Sequence, residues 1–248
     1  MYHYFYDSFL GEKKFHSELT KTETRLMDLG INGKVSRISF LKNVDTVIKE
    51  EMESGAKTFV IVGNDITFGN MLNHLANLDL IIGFIPIGEK NNSIAGLLGI
   101  PVGECACDIL SARIITSLDL GKINNSYFLT SLELPGDGTG LDCEGNYYLS
   151  FTGKNNSLRI YNLAAVEDVP SKTNQGLFTI EIKNIEKKFI IGEKINISYL
   201  KSARINISHE KTPIAIKITE QNKIVNTPAS VELVPQKLKV IVGKKRLI

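Results

Sequence analysis

The apolar positions of this chain change period near its midpoint. Tyr2 to Tyr6 reads as a strand. Phe15 to Leu29 places Leu19, Leu26 and Leu29 near one face, which predicts a helix stopped by Gly30. Val35 to Phe40 alternates like a strand. Asn43 then caps a predicted helix whose Val44, Val47, Ile48 and Met52 form a stripe, and Gly55 ends it. Thr58 to Val62 and Leu80 to Ile85 are short apolar runs. Helical patterns follow them over Thr67 to Asn77 and Ser93 to Leu98, and Cys105 to Cys107 reads as a helix start. Continuous apolar strands alternating with helices predict a parallel sheet with right-handed crossovers.

From about Ser126 the runs are short, β-branched or aromatic, and separated by turn residues. Examples are Tyr127 to Leu134, Tyr147 to Phe151, Leu177 to Ile182, Phe189 to Ile191, Ile195 to Tyr199, Ala203 to Ile207, Ile214 to Ile218 and Leu238 to Val242. The only helical hint there is around Val166. This spacing predicts a β-sandwich or open barrel. The expected fold is therefore a Rossmann-like α/β domain over residues 1–125, followed by a β-sandwich-like all-β domain over 126–248.

Composition narrows the function classes. At 248 residues, 43% hydrophobic and 23% charged, the chain can bury a core without disulfides or metals. Cys105, Cys107 and Cys143 form no CxxC pair, so neither a zinc site nor a disulfide framework is indicated. The expectation is reduced thiols in a cytoplasmic protein. Met1 to Leu10 lacks the pattern of a secretory signal, and no run reads as a membrane span. A net charge of +2 is too small to imply nucleic acid. Lys187-Lys188 and Lys244-Lys245-Arg246 read as solvated surface or as a weak hold on anionic lipid.

Candidate chemistry sits where two predicted strands end. Gly63-Asn64-Asp65-Ile66-Thr67 follows the first apolar run, and Pro86-Ile87-Gly88-Glu89-Lys90-Asn91-Asn92-Ser93 follows the second. Open parallel sheets bind ligands beyond the carboxyl ends of their strands, and helix N-termini there suit phosphate. Asp65 can orient a magnesium ion or take a proton, Thr67 can cap the helix or donate to phosphate, and Lys90 can neutralise phosphate charge. Caps and turns use the same residue types, so the loops alone leave a purely structural role open.

The segments FVIVGNDITFGNMLNHL (Phe59 to Leu75) and GFIPIGEKNNSIAGLLGIP (Gly83 to Pro101) resemble the diacylglycerol kinase and sphingosine kinase family of lipid kinases. That family carries a Gly-Gly-Asp-Gly-Thr loop and then a Pro-Leu-Gly-Thr-x-Asn-Asp stretch ending in Leu-Gly-Ile-Pro. Gly63, Asp65, Thr67, Asn73, Pro86, Gly88, Asn92, Ala95 and Leu98-Gly99-Ile100-Pro101 fall into the pattern, with one extra residue in the second loop. Asp119-Leu120-Gly121-Lys122 followed by Tyr127-Phe128-Leu129 resembles the family's entry into its β half. The resemblance implies ATP and magnesium as cofactors, with Gly63, Asn64, Thr67, Gly88, Lys90 and Asn92 around the nucleotide and Asp65 at phosphate or metal. The metal ligands are not identifiable. It also implies that the last strands, near Leu238, return to the first domain, and a lipid alcohol as acceptor, peripheral membrane contact and a homodimer as partner options.

The departures are specific. Asn64 and Ile66 replace loop glycines, and Ile66 would be strained by about 1–2 kcal/mol if the loop needs positive φ there. Glu89 and Lys90 stand for Gly-Thr, and Ser93 for Asp. Tyr6-Asp7-Ser8-Phe9-Leu10 does not match the family's first turn. The family's C-terminal Asp-Gly-Glu falls on Glu220-Gln221-Asn222, so an amide, Asn222, occupies the base position unless Glu220 substitutes. Gly136-Asp137-Gly138-Thr139-Gly140 spells the family loop more closely, yet no helix pattern follows, and it is expected to be a turn. The leading reading is an ATP-dependent lipid kinase-like protein with Asp65 and Glu220 as catalytic candidates. The alternatives are a non-catalytic pseudokinase and a module that has lost the nucleotide site.

Overall fold

The computed structural model describes residues 1–38, 43–151, 155–164, 176–188 and 192–248. These form two compact units, Met1–Leu118 with Gln236–Ile248, and Asp119–Pro235.

The first unit is α/β. Strands β1 (Tyr2–Tyr6), β2 (Lys34–Arg37), β3 (Thr58–Gly63) and β4 (Ile81–Pro86) pair in parallel in the order β2-β1-β3-β4. Every residue of β3 is buried, as its unbroken apolar run requires of a central strand. Two short 3-10 turns, Ser8–Gly11 and Lys13–Phe15, lead from β1 into helix α1 (His16–Asp28), which turns Leu19, Thr22 and Leu26 inward. Helix α2 (Val44–Glu53) is capped by the Asn43 side chain. Helices α3 (Asp65–Leu75), α4 (Ser93–Leu98) and α5 (Ala106–Ala112) complete the unit. Phe5, Phe59, Phe68 and Phe84 lie in its core.

The 20-residue stretch Ser93–Ala112 contains an 18-residue window with a mean hydropathy of 1.5, enough by composition and length to cross a membrane. The stretch is nonetheless broken between α4 and α5, where Gly99 and Gly103 adopt positive φ, and half of its apolar window is buried. Its hydropathy is that of a core segment.

Strand β5 (Ile115–Ile123) carries the chain from one unit to the next, so the division falls at Leu118–Asp119 rather than near residue 125. The second unit continues with β6 (Ser126–Phe128), β7 (Ser131–Pro135), β8 (Thr139–Cys143), β9 (Tyr147–Ser150) and β10 (Asn156–Tyr161). It then adds β11 (Phe178–Lys188), β12 (Gly192–Ser202), β13 (Arg204–His209), β14 (Ala215–Ile218), β15 (Lys223–Asn226) and β16 (Ala229–Ile241). An antiparallel sheet runs β12-β11-β10-β7-β14-β15. Opposite it, β13 pairs with β8 and with the first part of β16, and β9 pairs with β8. Alternate residues point into one shared core: Leu132, Ile160, Ile180 and Ile218 from the first sheet, and Leu141, Ile205, Ile207 and Val231 from the second. Period-two burial on facing sheets makes this unit the expected β-sandwich. The last part of β16 belongs to the first unit, pairing Lys239 and Val240 with Ile81 and Ile82 of β4. The expectations for Phe189 to Ile191 and for the region around Val166 lie outside the described residues.

Candidate functional site

The Gly63–Thr67 loop is an ordinary helix start, closed by its own side chains. An α-helix leaves its first four N–H groups without intrahelical partners. In α3 all four have partners. Asn64 Oδ1 accepts from the N–H of Ile66 at 3.0 Å and of Thr67 at 3.1 Å. Asn64 N–H donates to Thr67 Oγ1 at 3.2 Å, completing a capping box. Asp65 N–H donates to the Asn91 carbonyl at 2.8 Å. Thr67 Oγ1 in turn donates to Asp7 Oδ2 at 2.7 Å. Gly63 permits this closure, because a Cβ there would stand 2.4 Å from Thr67 Oγ1. The strain foreseen at Ile66 does not arise. Asn64 is extended at φ −125°, and Ile66 sits in the first helical turn, outside the residues with positive φ.

The second loop leaves β4 and passes close to α1. Gly88 has φ +90°, and a Cβ on it would lie 3.2 Å from the Phe15 ring, so both conformation and space call for glycine. Asn91 is also left-handed at φ 59°. Asn92 Nδ2 donates to the Gly88 carbonyl, tying the loop across its base. The N-terminus of α4 is held by Asp65, whose carboxylate accepts from Ser93 N–H at 2.7 Å and Ile94 N–H at 3.1 Å. Asp65 is 8% exposed. Gly63, Asn64, Asp65, Thr67, Gly88, Lys90 and Asn92 therefore all lie together at the carboxyl ends of β3 and β4.

A cleft of about 760 Å³ opens beside them. Glu89, Lys90, Asn91, Gly88 and Asn64 form one part of its lining, and Phe9, Glu12, Lys14, Phe15 and Glu18 form the other. The Phe9 and Phe15 rings meet edge to face at 5.1 Å, and Lys14 Nζ lies 4.8 Å from the centre of the Phe15 ring. Lys14 pairs with Glu12 at 2.7 Å. Sequence reasoning missed this second wall, and Asp7 with it. The usable signal was topological: β1 neighbours β3, so the turn after β1 must emerge beside the first loop.

Strong pKa perturbation often marks catalytic groups. Here burial lowers His3, raises Tyr4 and Tyr6, and pushes the Cys107 thiol up to about 11. None of these side chains lines the cleft. Among the described residues, no group of three or more His, Cys, Asp or Glu is placed to hold a metal ion.

Glu220 lies in the second unit, in a short turn after β14, and is 3% exposed. Its carboxylate accepts from Leu129 N–H at 2.5 Å, from Thr130 N–H at 3.2 Å and from the Thr130 hydroxyl. Gln221 Nε2 donates to the Tyr127 carbonyl, and Thr219 Oγ1 to the Ser131 carbonyl. The turn is thereby stapled to residues 127–131. Asn222 ends it in a left-handed conformation, exposed. Gly136–Gly138 forms the turn between β7 and β8, and Thr139 and Gly140 open β8, so the expected turn covers only the first part of the motif. Gly138 is at φ +73°, and Asp137 accepts from the N–H groups of Asn155 and Asn156.

Comparison with known proteins matches residues 2–123 to the diacylglycerol kinase catalytic domain. No curated protein matches the chain. A solved diacylglycerol kinase from Bacillus anthracis str. Sterne is similar in fold, with a TM-score of 0.75 at 18% identity over 98% of this chain and 97% of that one. Another structure from the same organism, described as an inferred diacylglycerol kinase, gives 0.75 at 16% identity over the same shares. The two-domain arrangement of these kinases is thus the arrangement of the present fold.

Proposed function

This chain belongs, through residues 2–123, to the diacylglycerol kinase catalytic domain family, and we propose that it is a lipid kinase-like protein that binds a nucleotide in its first unit without transferring a phosphoryl group. One observation carries this reading. Asp65 and Glu220, the carboxylates that a transfer step would call on, already accept hydrogen bonds from backbone N–H groups.

Magnitudes separate binding from transfer. Displacing a cap such as Asn64 costs about 0.5–2 kcal/mol, so a ligand phosphate meets weakened rather than abolished binding at α3. Loss of a general base costs about 10²–10⁴-fold in rate. With Asn222 at the family's base position and Glu220 engaged with Leu129 and Thr130, transfer is the step that fails. ATP is the nucleotide that the family resemblance implies. Among the described residues no group of three or more His, Cys, Asp or Glu is placed to hold a metal ion, so a magnesium ion would arrive with the nucleotide phosphates. As a lipid-directed protein it would work in the cytoplasm, in peripheral contact with a membrane, as a monomer or homodimer.

A second reading is favoured by the retention of Gly63, Asp65 and Thr67 at family positions: an active kinase for a diacylglycerol or sphingoid hydroxyl. The test is transfer of labelled γ-phosphate from ATP to diacylglycerol and to a sphingoid base in mixed micelles, alongside calorimetry with ATP. The expected result is heat of binding with no labelled lipid. Multiple turnovers on either lipid would overturn the non-catalytic reading in favour of the kinase.

A further inference from the structure

We infer that the cleft walled by Phe9, Phe15 and Glu89 takes a nucleoside or nucleoside monophosphate in preference to a nucleoside triphosphate. The inference rests on the nucleotide-binding reading above and deepens it.

A site built for a triphosphate presents unpaired N–H donors and surplus positive charge. The helix starts beside this cleft present no such donors, and its lining holds more carboxylates than lysines. The first four N–H groups of α3 are taken, two of them by the oxygen of Asn64, itself a lining residue. The N–H groups of Ser93 and Ile94 at the start of α4 already hold the Asp65 carboxylate, so an incoming phosphate would meet a fixed negative charge. On the walls, Glu12, Glu18 and Glu89 face only Lys14 and Lys90. Lys14 is already paired with Glu12. That leaves Lys90 against Glu18 and Glu89, a net negative lining that repels each added phosphate.

The same features suit the rest of a nucleotide. Phe9 and Phe15 are half-buried, so ring surface remains open to the cleft, and a base can stack on it whatever its edge pattern. Carboxylates accept hydrogen bonds from the two ribose hydroxyls. A volume of about 760 Å³ holds a base and sugar with room to spare. Lys90 offers one cation for a single phosphate, without a second unpaired lysine to share a longer chain.

The experiment is calorimetry of the full chain against adenosine, AMP and ATP with magnesium. Adenosine or AMP should bind at least about tenfold more tightly than ATP, since a phosphate chain must displace the Asn64 cap and approach the carboxylates of Glu18 and Glu89. Asn64→Gly, which costs the helix little, combined with Glu89→Gln should raise ATP affinity and narrow that gap. Phe15→Ala should weaken all three ligands alike, placing the base at the aromatic wall. ATP binding as tightly as AMP, or more tightly, would overturn the inference while leaving nucleotide binding intact. Failure of every ligand at millimolar concentration would overturn the nucleotide-binding reading itself, and the preference with it.

Discussion

Asp65 and Glu220 carry the same chemical group and invite the same catalytic reading, yet the fold sets them to different tasks. Asp65 bridges two loops of the first unit: its own backbone starts α3, and its carboxylate holds the start of α4. There the helix's own partial positive charge favours a carboxylate. Glu220 has no helix to cap. It is sunk in the sandwich unit at 3% exposure and meets three donors on Leu129 and Thr130. A buried carboxylate survives only when its lone pairs are matched in this way. On the non-catalytic reading proposed above, the contrast accounts for carboxylates that stay at family positions without performing the family's chemistry. A carboxylate that stabilises backbone N–H groups is hard to replace whether or not it ever meets a substrate.

The comparison predicts unequal costs of removal. Glu220→Ala should destabilise the chain most, by about 3 kcal/mol, because it leaves the N–H groups of Leu129 and Thr130 without the acceptor they donate to. Glu220→Gln, which keeps one acceptor oxygen, should lose roughly a third of that. Chemical denaturation monitored by far-ultraviolet circular dichroism measures both. A stable Glu220→Gln protein that had lost lipid phosphorylation would instead make Glu220 a base. Asp65→Ala should cost less, about 1–2 kcal/mol, the range of a lost helix cap, with Asp65→Asn in between. Equal losses for the two alanine variants would break the comparison. Because Asp65 holds α4, loss of ligand binding in Asp65→Ala would not by itself locate the ligand, and the Asn64→Gly variant is the cleaner probe.

Much of this was legible in the chain. Hydrophobic period separated the two units, and Tyr2–Tyr6 and Ser93–Leu98 form with the bounds that their patterns set. The adjacency of β3 and β4 brought the two loops together, as parallel-sheet topology requires. What could not be read was which donor each polar side chain would satisfy. Asn64 stands where the family has a loop glycine, but its Oδ1 is used to close α3 from an extended conformation. The partners of Glu220 lie about 90 positions earlier in the chain, a pairing that no local pattern encodes. The aromatic wall depends on how Phe9 and Phe15 return past Gly88, which is likewise a matter of tertiary packing.

The smallest expected effect concerns a buried ionisable group that, unlike the two carboxylates, is stable only when uncharged. His3, on β1, is 1% exposed and packs against the rings of Phe5 and Phe59. Burial, the largest influence, lowers its pKa below the ordinary 6.5; Glu51, 3.4 Å from Nδ1, opposes the shift, and Lys34 adds to it. The unfolded chain protonates His3 near 6.5, whereas the folded chain resists until lower pH. Between those values the unfolded state binds more protons, so the His3 contribution to stability falls as pH drops below 6.5 and is flat above it. The difference in unfolding free energy between the native chain and His3→Phe, measured from pH 7.5 down to pH 5, isolates this contribution from the titration of other groups. That difference should shift toward the variant on acidification. If it stays constant across the range, His3 is not the uncharged counterpart of Asp65 and Glu220, and neutral burial is not what its position in β1 demands.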